Sequence, residues 1–288
     1  MGLRPSLHAA AKAYANLPVS VTALYDKINH ADINVIRALI QGSQYRLGPV
    51  MHAMQPTQAA SVEGYRLCIV DGNHLPASEK RLKPLRQFRG AALPGHSLVV
   101  YDPDCGLVID ILPCEDAHAQ ERACMAPLLE RAQPGELWIA DRNFSTKSVP
   151  AGWHRRGSAF IVREHRRTPN PTAGGTPHVC GRVDTGLVYE QSVSMNTKEE
   201  GQVPLRRIEL QLDKPTDDGD TVIRLLSNLP TSTFSAEDIA TLYRRRWRIE
   251  NMFQRLESAL NSEMTTLGHP HAALLAFGVP CWRITCSQ

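Results

Sequence analysis

Leu67-Cys68-Ile69-Val70-Asp71 is a run of four apolar residues closed by a carboxylate, and Leu137-Trp138-Ile139-Ala140-Asp141 repeats that arrangement further along the chain. Short apolar runs of this kind read as buried strands, which places Asp71 and Asp141 at strand ends. A third acid, Glu250, lies in Leu242-Tyr243-Arg244-Arg245-Arg246-Trp247-Arg248-Ile249-Glu250, a stretch that reads as a long helix. Two strand-end aspartates and a helical glutamate, far apart in sequence, can converge on one pocket. Clustered carboxylates suit hard cations such as Mg²⁺, which take oxygen ligands. A metal pair held by carboxylates can carry out in-line phosphoryl chemistry.

Working outward from Asp71, residues from about 8 to 55 read as helical, with Ala9-Ala10-Ala11-Lys12-Ala13-Tyr14-Ala15 a good helix former. Ala59 to Gly64 reads as a connector, and Arg66 to Val70 as the first strand. Leu98 to Tyr101 and Leu107 to Leu112 are strands separated by Asp102-Pro103-Asp104-Cys105-Gly106, a hairpin turn. A helix is expected from Glu115 to Arg131, a strand from Leu137 to Ala140, a short helix from Val149 to Arg156 and a strand from Ala159 to Arg163. From Thr168 the character changes. Pro169, Pro171, Gly174, Gly175 and Pro177 interrupt regular structure, and Val179 to Asn228 reads as all-β. At Ser235 a helix begins, with Asp238 three residues on in a capping-box arrangement. This order of elements predicts an α/β fold with a mixed sheet flanked by helices and an all-β insertion before the glutamate helix. The expected parts are a helical segment over 1–60, a first half of the core over 61–167, the β insertion over 168–230, the rest of the core over 231–280 and a tail over 281–288.

On the glutamate helix, Ile239, Leu242, Ile249, Phe253, Leu256 and Leu260 share one stripe at roughly 100° per residue. Tyr243, Arg246, Glu250 and Glu257 form a polar stripe beside it, and Arg244, Arg248 and Arg255 point to the outer side. Glu250 then leans into the pocket, with Tyr243 and Arg246 placed to reach a phosphate backbone. Trp247 reads as packing.

Bulk composition bounds the rest. A net charge of +3 on 288 residues does not by itself announce nucleic-acid binding. Local arginine clusters say more: Arg163, Arg166 and Arg167, then Arg206 and Arg207. The guanidinium fork suits phosphate, although solvated surface charge is the ordinary reading of any one cluster. Seven scattered cysteines without Cys-x-x-Cys fit reduced thiols in a cytosolic protein. Eleven histidines show no zinc-type spacing. The longest mainly apolar stretch, Ala272 to Trp282, is too short to span a bilayer, and no membrane partner is expected. A Gly-rich phosphate loop, a Gly-x-Ser-x-Gly elbow and a dinucleotide fingerprint are all missing from the sequence.

Four stretches in order resemble the DDE transposases of bacterial insertion sequences, of the insertion-sequence-four type. They are Val70-Asp71-Gly72-Asn73, Ala140-Asp141-Arg142-Asn143-Phe144, Leu226-Ser227-Asn228-Leu229-Pro230, and Tyr243 to Glu257, which matches the family signature Tyr-x2-Arg-x3-Glu-x6-Lys at its first three positions. The resemblance covers roughly residues 20 to 278. It implies an RNase H-like core that cuts transposon ends and joins them to target DNA, with Mg²⁺, or Mn²⁺ in its place, bound by Asp71, Asp141 and Glu250. It implies double-stranded DNA as partner, homodimerisation in a DNA complex, and action in the bacterial cytoplasm at the nucleoid.

Two departures qualify the resemblance. The final lysine of the signature is Glu257 here, and the chain is shorter than family members commonly are, which gives the expectation of a copy truncated at one or both ends. The rival reading is a catalytically silent copy that binds DNA or full-length transposase as an inhibitor or remnant. Among smaller signals, Arg142 and Asn143 are candidates for DNA contact or equally for a turn beside a strand. His74 is a candidate neighbour to a metal ligand. Tyr189 is open to stacking on an extruded base, with a cross-strand pair preferred.

Overall fold

The computed structural model describes residues 7–14, 16–54, 60–74, 96–114, 119–260 and 269–286. The chain divides into two units. The first holds Met1–Ala59, Asp71–Cys124 and Ile249–Gln288, and the second holds Ala60–Val70 and Met125–Arg248.

The second unit is a mixed sheet with helices. β1 (Arg66–His74) contributes its first five residues, which pair in parallel with β4 (Glu136–Ala140). β4 pairs in parallel with β5 (Ala159–Arg163). Antiparallel strands continue the sheet through β10 (Val222–Ser227), β9 (Gly201–Leu212), β8 (Gly186–Thr197) and β6 (Thr172–Ala173), with β7 (His178–Val183) also on β8. The parallel strands are apolar on both faces: Leu67, Cys68, Ile69, Val70, Leu137, Ile139 and Ala140 are fully buried, as strands covered on both sides require. Trp138 stacks on Trp153 of α5 (Ser148–Arg155), with ring centroids 5.7 Å apart, and Trp153 meets Phe160 of β5 at 5.8 Å. The long β8–β9 hairpin shows the half-solvated alternation of an antiparallel ribbon, Val188, Val193 and Met195 buried between exposed or half-buried residues.

The first unit packs helices against a hairpin. α1 (Leu7–Lys12), α2 (Val21–Asn29) and α3 (Asn34–Met54) precede β2 (His96–Asp102) and β3 (Leu107–Cys114). β2 and β3 pair antiparallel around the expected turn. α3 lies on β3, and Arg37 makes a two-pronged bond to Asp110, with Nε and Nη2 donating to the two carboxylate oxygens at 2.8 and 2.9 Å. Gln41 donates to the same carboxylate at 2.9 Å. A late helix, Pro270–Cys286, also packs on α3, and the contact is close. A Cβ added at Gly278 would come within 2.2 Å of Ile36.

Three sequence expectations differ from the structure. The helix expected over Glu115–Arg131 is a 3₁₀ turn at Glu121–Cys124 followed by a separate helix, α4 (Ala126–Arg131), with residues 115–118 outside the described residues. Pro127 in the first turn of α4 explains the restart, because a proline has no N–H to continue an earlier helix but fits a helix start. The segment after Pro280 is no loose tail. The helix runs through to Cys286, Cys281 is fully buried, and Trp282 Nε1 donates to Ser43 Oγ at 2.8 Å.

The third difference concerns the glutamate helix, which is three pieces: α6 (Ala236–Tyr243), a 3₁₀ turn at Arg244–Arg246, and α7 (Trp247–Leu260). A 3₁₀ turn advances about 120° per residue against about 100° in an α-helix, so three such residues rotate the faces of α7 by about 60°. Trp247, expected as packing, is 58% exposed. Of the expected seam residues, Ile239, Leu242, Ile249 and Leu256 are buried and Phe253 is half-buried, and the side chain of Leu260 lies outside the described residues. Met252, which the spacing did not include, is buried with them.

Candidate active site

Asp141 is the residue after β4. Its backbone is extended, and its side chain accepts from the Asn143 N–H at 2.8 Å, capping the 3₁₀ turn Arg142–Phe144. Asp141 is thus the cap of this turn. Burial pushes the Asp141 carboxyl up from the ordinary aspartate value, against the opposing pull of the Asn143 N–H and of Arg246, Arg142 and Arg163.

Two of those charges reach Asp141 through long-range structure. Arg163 ends β5, the parallel neighbour of β4. Arg246 closes the 3₁₀ turn between α6 and α7. Tyr243, one turn earlier, is 9% exposed. Burial pushes its phenol up to about 12, with Asp141 adding to the rise and Arg246 and Arg163 opposing it. Arg246 donates a hydrogen bond to the phenolic oxygen. Tyr243 is thus a neutral phenol at physiological pH. It is held inside, and it orients Arg246. α6 is aimed by its N-terminus: Ser235 and Asp238 form the expected reciprocal capping box, with both backbone bonds present at 2.9 and 3.0 Å.

Asp71 is half-buried on β1, its Oδ1 accepting from the Gly72 N–H at 3.0 Å. The parallel register pairs Val70 with Ala140, so each aspartate is the residue that comes directly after one member of a single in-register pair. Gly72 lies against the Glu121 side chain, whose Oε1 would be 2.0 Å from a Cβ added there and would have to swing aside. Glu250 is half-buried, the fourth residue of α7 and one helical turn after Arg246. Glu257, at the place of the signature lysine, is exposed, where solvent screens its charge. The side chain of His74 lies outside the described residues.

Beside Asp141 in the second unit is a polar cleft of about 860 Å³, with Arg142, Arg163, Arg166, Arg207 and Arg224 in its walls. Asp220 ties three of these together: Arg163 bonds it, and Arg142 and Arg166 each come to 3.6 Å. The sequence cluster Arg206-Arg207 splits. Neighbouring strand residues face opposite sides of the sheet, so Arg207 lines the cleft and forks onto Glu164 at 2.7 Å, while Arg206 is buried on Glu190. Tyr189 is half-buried, opposite Val179 and Glu209. Sequence reasoning missed Asp220 and the place of Arg163. Their only local signals were a turn and a charge run.

Asn228, inside one of the quoted motifs, has a structural task. Its Oδ1 accepts from Phe160 N and its Nδ2 donates to Ser158 O, both at 2.9 Å, so one side chain completes the edge of β5 where β10 has ended. Replacing it with alanine should leave a buried N–H and C=O unmet and cost about 2–3 kcal/mol of unfolding free energy. A urea unfolding curve for Asn228→Ala within about 0.5 kcal/mol of the parent would contradict that role.

The transposase DDE domain family matches residues 63–277. The chain belongs to that family. It is a DDE transposase, an enzyme of DNA strand cleavage and transfer that depends on divalent metal, and its mixed sheet with flanking helices is the RNase H-like fold of that domain. DNA is its substrate. No curated protein matches it. Among the described residues no helix of this transposase is long and apolar enough to cross a membrane.

Proposed function

We propose that Asp71, Asp141 and Glu250 are the metal-binding carboxylates of this transposase, that Mg²⁺ is the working ion with Mn²⁺ as substitute, and that the element it moves is an insertion sequence of the insertion-sequence-four type. The observation that carries this reading is the Val70–Ala140 register, which sets an aspartate directly after each member of one pair, together with the Tyr243–Arg246 unit against Asp141. The donor set fits the ion. All three residues supply carboxylate oxygens, and Asp141 is a carboxylate whose burial is costly until a cation offsets it. When bound, the cation activates the attacking oxygen and stabilises the leaving one.

The chain's own residues do the rest. A water attacks the scissile phosphate and releases a 3′-hydroxyl, which then attacks the target strand. No protein nucleophile is used. Arg246, oriented by Tyr243, and Arg142 and Asn143 after the second aspartate hold the backbone next to the reacting phosphate. The β-rich segment over 168–230 is the insertion, and with Arg142, Arg163 and Arg166 it shapes the arginine cleft as a track for double-stranded DNA. Asp220 stands in that cleft where a phosphate would compete for the same guanidinium donors. A homodimer on the DNA, acting in the cytoplasm at the nucleoid, completes the reading.

The test incubates the chain with Mg²⁺ or Mn²⁺ and a labelled duplex carrying the element's end, beside Glu250→Gln. Metal-dependent nicking by the parent and not by the variant is expected. Equal nicking by both would remove Glu250 from the site. DNA bound by the folded chain but never cut would favour the silent, DNA-binding copy. The cleft makes a separate prediction. Arg142→Ala and Arg166→Ala should each weaken DNA binding and lower the slope of log K against log salt by about 0.9, the loss of one phosphate contact. Unchanged slopes in both variants would place the DNA elsewhere.

A further inference from the structure

We propose that His96, Cys114 and Cys124 form a binding site for a thiophilic divalent cation, Zn²⁺ foremost, in addition to the carboxylates assigned above. The three are far apart in sequence and are brought together by the fold of the first unit. His96 is the first residue of β2 and Cys114 the last of β3, and the antiparallel register sets them opposite one another. Opposed residues on adjacent antiparallel strands project from the same face of the sheet. Cys124 ends the 3₁₀ turn Glu121–Cys124, which packs on β2.

The donor atoms lie within 4.8 Å of one another, and Cys114 Sγ is 3.5 Å from Cys124 Sγ. Tetrahedral zinc with Zn–S bonds of about 2.3 Å places two sulfurs about 3.8 Å apart, a few tenths from the observed separation. A disulfide would need about 2.05 Å, and neither cysteine is in a disulfide. His96 is fully buried, Cys114 nearly so and Cys124 half-buried, so the cluster opens to solvent on the Cys124 side.

Donor chemistry selects the metal. Two thiolates and an imidazole are borderline-soft ligands that favour Zn²⁺ over Mg²⁺, whereas the carboxylates prefer the hard ion, so the two sites do not compete. Three protein ligands leave a fourth position for water. Each thiol gives up its proton as it binds, so two protons leave per ion and affinity rises with pH. The ion would pin the 3₁₀ turn to the hairpin. That turn begins at Glu121, whose carboxylate lies against Gly72, the residue after Asp71. The metal would therefore hold one wall beside an active-site aspartate without taking part in the chemistry.

The experiment titrates reduced, metal-free chain with Co²⁺ as a spectroscopic probe and then with Zn²⁺ in excess Mg²⁺. It also follows alkylation of each cysteine by mass spectrometry. One Co²⁺ per chain with a thiolate-to-cobalt charge-transfer band is expected, displaced by Zn²⁺ and not by Mg²⁺. Zn²⁺ should protect Cys114 and Cys124 from alkylation in the unaltered chain. Because outer-sphere changes alone cost about 10–100-fold in metal affinity, Cys124→Ser should lose more than about 100-fold. Cys180→Ser should bind as the parent does, although Cys180 lies in a second trio with His178 and Glu190. Folded parent chain without a charge-transfer band or thiol protection would overturn the proposal. So would loss of the band in Cys180→Ser in place of Cys124→Ser, or a Cys114–Cys124 disulfide that forms under reducing purification and excludes metal. None of these readouts involves DNA, so failure here and failure of the carboxylate assignment are told apart.

Discussion

Asp141→Asn is expected to reduce metal-dependent strand cleavage by on the order of 10³-fold or more while raising the thermal stability of the metal-free chain. On the assignment proposed above, the loss comes from removing a charged oxygen ligand at the reacting phosphate. The gain comes from the opposite side of the same physics. Burial outweighs three guanidinium groups and a backbone donor in setting the Asp141 carboxyl, so the charged form is a net cost to the metal-free fold. Asparagine keeps an oxygen in the same place, and the bond from Asn143 N–H that caps the 3₁₀ turn is retained. A stabilisation of about 0.5–2 kcal/mol, typical of relieving a functional site, is expected in thermal or urea unfolding without metal. If the variant were less stable than the parent, Asp141 would be a structural cap whose charge the fold needs, and its assignment as a metal ligand would lose its physical basis.

The raised carboxyl also sets a pH dependence. Between the ordinary aspartate value and the raised one, the native state holds a proton that the unfolded chain has released. Metal-free stability therefore rises as pH falls through that window and is lowest above it. Metal binding has the reverse sign, because it needs the carboxylate. Cleavage should fail on acidification at a pH where an ordinary aspartate is still charged. Arg246→Ala, which removes the larger of the opposing arginine charges, should move that limb to higher pH. A pH–rate profile for the two proteins reads the shift directly.

Asp71, Asp141 and Glu250 were legible as candidates because their signals are local. Four apolar residues before an aspartate specify a buried strand and its end, and the Ser235–Asp238 spacing specifies a helix start. What was not legible depends on pairing across distance. Arg163 and Asp220 meet because β5 and β10 are neighbours, and no residue in either strand announces its partner. The sequence pair Arg206-Arg207 looks like one basic patch and is two unrelated sites, since strand alternation sends the side chains to opposite faces. His96, Cys114 and Cys124 lack zinc spacing for the same reason, their proximity being a matter of hairpin register. Trp247 was misjudged because it was read by residue type: at about 100° per residue it lies well away from the apolar stripe, and it is exposed.

Arg206→Ala is expected to destabilise the transposase by about 3–5 kcal/mol, more than alanine at Arg142 or Arg166 in the open cleft. Its guanidinium donates from Nε and Nη2 to the two oxygens of Glu190 at 2.6 and 2.9 Å, with only 10% and 13% of the two side chains exposed. Nη1 donates to the carbonyls of Leu229 and Phe234 at 3.2 and 2.8 Å. Alanine would leave a carboxylate and two carbonyl oxygens buried without those donors, and the cost of that desolvation exceeds the worth of the original pair. The effect should also reach function. Leu229 and Phe234 bracket the turn that delivers Ser235, the cap of α6, and α6 leads to Tyr243 and Arg246. Loosening that turn displaces the arginine that faces Asp141. A paired variant separates the two contributions: Arg206→Met with Glu190→Leu removes both charges, and should recover a good part of the stability without restoring the carbonyl contacts. Its unfolding midpoint should therefore lie between those of the parent and Arg206→Ala. If Arg206→Ala unfolded within about 1 kcal/mol of the parent, the buried pair would be no anchor for the helix that carries the site.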